Sequence, residues 1–177
     1  MKQQKKEVRE EVKHRISALT SEYKAVAAQK IATLLEQNEQ LATAGCVALF
    51  VSMEDEISTA NLLEKLSQRT TVALPRITGD DMQFFAYRGE LKSGKFGIGE
   101  PATEELISPA EIDVMIIPAR ALTPQGERLG RGKGFYDKYL SHNDFRAYTI
   151  GIGYTCQLFD SLPTEEHDHR VDLVVTA

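Results

Sequence analysis

The chain has 177 residues, 42% apolar and 27% charged, a length and balance that suit one domain with a substantial core. Its 26 acidic and 21 basic side chains leave a formal net charge of −5, which argues against a general nucleic-acid binder and confines any positive patch to a local site for a small anion. No apolar run approaches the ~20 residues that span a bilayer, and the opening MKQQKKEVREEVKHR lacks the apolar core of a signal peptide, so a cytoplasmic protein working without a membrane is expected.

Val8, Val12, Ile16 and Leu19 recur at helical spacing and predict an amphipathic helix over residues 5–19. Thr20 or Ser21, followed by Glu22, starts a second helix with Val26, Ile31, Leu34 and Leu35 on one face. Gly45 precedes CVALFVS, an apolar run of strand length, and Ser58 or Thr59 is placed to cap a helix through ANLLEKLSQ. TTVALPRI (70–77) is the next strand, ended by Pro75 and Gly79, and MQFFAYR (82–88) reads as an aromatic edge strand. GELKSGKFGIGEP (89–101) is glycine-rich and reads as a loop. IDVMIIPA (112–119), AYTIGIGY (147–154) and VDLVVT (171–176) are further strands, with a short helix at FYDKYLSH. Cys46 and Cys156 lie in or beside apolar runs and read as buried reduced thiols.

Strands apolar on both faces and separated by helices predict an α/β domain of three layers, α/β/α, over residues 1–177: a mostly parallel sheet with helices on both faces. Ligands of such sheets gather at the carboxyl ends of the strands.

The stretch RLGRGKGFYD (128–137) stands between a strand and a helix. Its alternating glycines free backbone amides to approach phosphate oxygens, and Arg128, Arg131 and Lys133 add charge-assisted donors. The pattern is neither a Walker A loop nor a dinucleotide fingerprint. Asp137, at the start of the helix, is either a dipole partner or, beside a polyphosphate, a magnesium ligand. Asp172 interrupts an apolar strand and is either paired or a second metal-side carboxylate. His14, His142, His167 and His169 sit in polar or charged stretches and read as surface residues.

Four blocks, taken in order, make the chain resemble the 5-formyltetrahydrofolate cyclo-ligase (5,10-methenyltetrahydrofolate synthetase) family. They are KEVREEVKHRISALTSE, SMEDEISTANLLEKL, the pair GIGEP and IIPARALTPQGERLGRGKGFYDKYL, and HDHRVDLVVT. The resemblance implies a single α/β domain that uses ATP and Mg2+ to turn 5-formyltetrahydrofolate into 5,10-methenyltetrahydrofolate, releasing ADP and phosphate. It implies that Arg128, Leu129, Gly130, Arg131, Gly132, Lys133, Gly134, Phe135 and Tyr136 cradle ATP, and that Lys5 and Arg9 reach it from the first helix. Arg131, Lys133 and Asp137 would form the catalytic set, with Asp137 and Asp172 beside the magnesium. Glu56 would contact the folate, accepting two N–H donors of the pterin at once. Val51, Met53, Met82, Phe84 and Tyr136 would line the same pocket. Where members often read Pro-Gly-x-Ala/Gly-Phe-Asp, this chain reads PARALT, with Arg120, Leu122 and Thr123, which leaves the nucleotide contacts of that loop open. Residues 92–101 would close over substrate, and a monomer is the simplest state. A non-catalytic nucleotide- or folate-binding regulator and a sugar-phosphate isomerase-like enzyme are the competing readings.

Overall fold

The computed structural model describes residues 1–177. Two 16-residue helices lead the chain, α1 (Lys2–Ser17) and α2 (Ser21–Glu36), followed by the short α3 (Glu39–Thr43). Thr20 starts α2, its hydroxyl accepting from the Tyr23 amide at 3.1 Å and satisfying one orphan donor of the helix start. The buried face of α2 differs from the expected one. Ala27, Ile31 and Leu35 are buried along one i, i+4 row, while Val26 and Leu34 are each 48% exposed. Ile31 and Leu35 are buried as expected, and Ala27 and Ala32 complete the contact face in place of Val26 and Leu34.

The remaining elements are β1 (Cys46–Ala48), α4 (Ala60–Ser67), β2 (Thr71–Thr78), β3 (Asp81–Ala86), β4 (Leu91–Ser93), β5 (Gly99–Pro101), β6 (Leu106–Ile107), β7 (Val114–Pro118), β8 (Ala121–Leu122), β9 (Arg128–Leu129), α5 (Phe135–Leu140), β10 (Tyr148–Gly153) and β11 (Leu173–Thr176). Seven of the strands form one sheet in the order β11-β10-β7-β1-β2-β3-β6. The run from β11 to β2 is parallel, and β3 pairs antiparallel with both β2 and β6.

Alternation along the strands divides the core into two. Val47, Leu49, Val72, Leu74, Val114 and Ile116 face α1 to α4, whereas Ala48, Ala73, Met115 and Ile117 face α5. Each fully buried Leu, Ile or Val contributes roughly 1.5–3 kcal/mol relative to exposure. The expected three layers are present and unequal, with four helices on one face and α5 on the other.

Three local expectations change. β2 runs through Pro75 to Thr78 rather than ending there. The Ala73 carbonyl accepts from Leu49, so by the two-residue period Pro75 also points its nitrogen toward β1, which has already ended. β3 is flanked by β6 and is therefore not an edge. Thr59 precedes α4 without capping it, because its hydroxyl donates to the Phe50 carbonyl at 2.6 Å.

Candidate active site

From β1 the chain builds outward to β2, β3 and β6, then returns to the other side of β1 as β7. The loops after β1 and β7 diverge at this switch point, where open α/β sheets hold their ligands. A cleft of about 810 Å³ opens there, within the range of small-molecule sites. Nine cationic side chains and five carboxylates line it, reversing locally the −5 of the whole chain.

The glycine-rich stretch forms one wall. Gly132 and Gly134 have φ of 96° and 71°, left-handed conformations that a β-carbon would strain. Arg9, from α1, donates through Nε to the Gly130 carbonyl at 2.8 Å and ties that helix to the loop. The Arg128 side chain is only 1% exposed and pairs with Asp137 Oδ1 at 2.7 Å. The same oxygen accepts from the His169 amide at 3.3 Å, while Asp137 Oδ2 accepts no hydrogen bond. Tyr136, Phe135 and Lys133 line the cleft beside them. Burial, with Glu56 nearby, pushes the Tyr136 phenol well up and keeps it a neutral hydroxyl.

The turn after β1 forms the facing wall, with Val51, Met53 and Glu56 on the cleft. Glu56 accepts from the Met53 amide at 2.9 Å through Oε2, and from Arg131 at 2.9 and 3.0 Å through Oε1. Asp55 holds Arg131 as well, and it pairs with Arg120 at 2.5 Å. Burial would raise the Asp55 carboxyl; Arg131 and Arg120 outweigh it and leave the group below its usual value. Tyr154, fully buried, donates to the Glu56 carbonyl at 3.0 Å and props the turn from behind.

Of the expected residues, Lys5, Arg9, Val51, Met53, Glu56, Met82, Asp137 and all of 128–136 line this one cleft. Phe84 does not: it is 1% exposed, and its ring packs on Tyr139 with centroids 4.8 Å apart, so it is a core residue. Asp172 does not line the cleft either. It stands just before β11, at the amino end of a parallel strand, and its carboxylate accepts from the Thr149 amide and hydroxyl at 2.8 and 2.7 Å. The carboxylates that do reach the cleft from this part of the chain are Glu165 and Asp168, which pair with Lys5 at 2.7 and 2.6 Å. Asp168 lies within the HDHRVDLVVT block, four residues before Asp172, but only Asp172 interrupts the apolar run of the strand. The 89–101 stretch is a hairpin of β4 and β5, with Lys95, Phe96 and Ile98 at the cleft. Glu100 is buried at its base and accepts from the Ile77 amide at 3.2 Å.

A doubly wound sheet with a basic cleft over its switch point defines a class, the α/β proteins that bind an anionic ligand at the carboxyl ends of parallel strands. Within that class the chain belongs to the 5-formyltetrahydrofolate cyclo-ligase family, whose sequence model matches residues 1–177. It is 32% identical to the 5-formyltetrahydrofolate cyclo-ligase of Escherichia coli K12, over 93% of this chain and 96% of that protein. It is 27% identical to the mouse protein of the same name, over 97% and 92%. The 5,10-methenyltetrahydrofolate synthetase of Aquifex aeolicus superposes with a TM-score of 0.88 at 29% identity, covering 97% of this chain and 89% of that one. No helix is long and apolar enough to cross a membrane.

Proposed function

We propose that the chain converts 5-formyltetrahydrofolate to 5,10-methenyltetrahydrofolate at this cleft, consuming ATP. The observation that carries the reading is Arg131, a residue of the glycine loop whose guanidinium is held by Glu56 in the facing turn. One wall suits a triphosphate and the other a pterin, and they meet at a single side chain.

ATP lies along residues 128–136, with Lys5 and Arg9 reaching it from α1. The folate stacks against Met53, Met82 and Tyr136, its pterin N–H groups on Glu56. The donor set fits Mg2+: Asp137 has a free oxygen, Asp168 lines the same cleft, and both are hard oxygen ligands. Asp137 and Asp168 would hold Mg2+, which would neutralise charge on the phosphates.

The side chains position and neutralise; none needs to form a covalent bond. The formyl oxygen attacks the terminal phosphorus, and ADP leaves. N10 then attacks the formyl carbon, the C–O bond breaks with phosphate as leaving group, and the N10 proton goes to solvent. Arg131 and Lys133 offset the charge of the transferring group. Residues 1–177 act as one domain and as a monomer, with the unpaired Cys46 and Cys156 suited to the reducing cytoplasm.

The test follows the methenyl product by absorbance in a mixture of protein, 5-formyltetrahydrofolate, Mg2+ and ATP. Product that appears only with ATP is expected. A folded protein that yields none would overturn the reading.

A further inference from the structure

Arg120 stands second after β7, two residues beyond the strand's carboxyl end, at the switch point itself. The resemblance assigns it no role. Its main chain is pinned on both sides: the amide donates to the Leu129 carbonyl at 2.7 Å, and the carbonyl accepts from Gln157 Nε2 at 3.0 Å. The side chain therefore enters the cleft from a fixed base, and it is 12% exposed.

Its guanidinium is only half satisfied. Nη2 holds Asp55, whereas Nη1 is buried and has no hydrogen-bond partner. Asp55 is itself shared, because Arg131 holds the same carboxylate. Two guanidinium groups thus converge on one carboxylate, and Arg120, which lines the cleft, keeps a buried donor without a partner. Buried donors of charged groups are normally partnered, so the vacancy fits an incoming anionic oxygen.

We propose that Arg120 is a substrate-contacting residue that binds the terminal phosphate of the nucleotide, an arginine supplied in cis at the point of phosphoryl transfer. The inference rests on the nucleotide reading of the cleft. Only the terminal phosphate must reach the turn holding Asp55 and Glu56, where the accepting formyl group lies. A planar guanidinium matches phosphate oxygens in a way that a lysine ammonium does not. Asp55 would occupy Arg120 until nucleotide arrives and would retain Arg131 afterwards.

Binding of ADP and of the β,γ-imido triphosphate analogue is measured for wild type, Arg120→Ala and Arg120→Lys, each also in an Asp55→Ala background. Loss of one charge-assisted contact should weaken the triphosphate by roughly ten-fold while leaving ADP within about two-fold. The loss should persist without Asp55. Should Arg120→Ala fail to fold, Arg120→Lys gives the same comparison, since it keeps the ion pair and loses only the planar fork. Equal weakening of both nucleotides, or a loss that vanishes without Asp55, would make Arg120 a partner of Asp55 alone and overturn the inference. In that outcome, methenyl formation by wild type would leave the activity standing. Wild type that binds neither nucleotide and forms no product would remove the nucleotide reading and the role of Arg120 together.

Discussion

Asp137 carries two demands. It faces the cleft with a free oxygen, and it is the carboxylate partner of the buried Arg128 guanidinium. Replacing it with asparagine keeps the shape, removes the charge that would hold Mg2+, and leaves Arg128 buried against a neutral amide. Asp137→Asn should therefore lower Mg2+-dependent turnover and also cost about 1–3 kcal/mol of stability in urea unfolding. Full stability with lost turnover would mean that Arg128 finds another acceptor. The sequence reveals the first demand, because the motif ends in an aspartate. The second requires knowing that Arg128, nine residues back on β9, folds over onto it. Asp172 shows the opposite failure: an acid in an apolar strand looks functional, and only the strand's direction reveals that it sits at the end remote from the cleft. Phe84 fails for a simpler reason, since alternation along β3 gives no indication of where the cleft stops and the core begins.

At the scale of elements, α1 is fastened over the cleft by Arg9 on the glycine loop and by Lys5 on the segment at 165–168. The second tie is ionic and titrates. Burial would raise the Asp168 carboxyl, yet Lys5 and the Glu165 amide hold it below the ordinary 3.8. Burial would lower the Lys5 ammonium, yet Asp168 and Glu165 hold it above 10.5. A carboxyl depressed by folding stabilises above its unfolded pKa and loses that contribution as pH falls through the folded value. An ammonium raised by folding contributes fully below 10.5 and loses its contribution only at higher pH. The stability difference between wild type and Lys5→Met should thus be level from about pH 5 to about pH 10, on the order of 1 kcal/mol, and shrink below about pH 3.8. An undiminished difference at about pH 2 in chemical unfolding would show that Lys5 acts through packing. Elements with a strong period are legible in the sequence, and α1, α4, β7 and β10 lie close to their expected spans. The loop at 89–101 is not, because β4 and β5 are three residues each and pair only with one another.

Across the whole molecule, the order of strands decides where chemistry sits. Composition and strand pattern predict a parallel sheet covered on both faces, and that is the architecture. They do not reveal that the chain reverses between β1 and β7, since strand order depends on crossovers that leave no periodic trace. That reversal brings the turn with Glu56 against the loop with Arg131, from positions 75 residues apart. In the proposed reaction, this meeting is the point at which a phosphoryl group passes from ATP to the formyl oxygen. The most direct test uses 5-formyltetrahydrofolate carrying heavy oxygen in its formyl group, turned over with ATP in ordinary water, with the released phosphate weighed by mass spectrometry. The account predicts that each released phosphate carries the labelled oxygen. Unlabelled phosphate, with the heavy oxygen recovered in water, would contradict it.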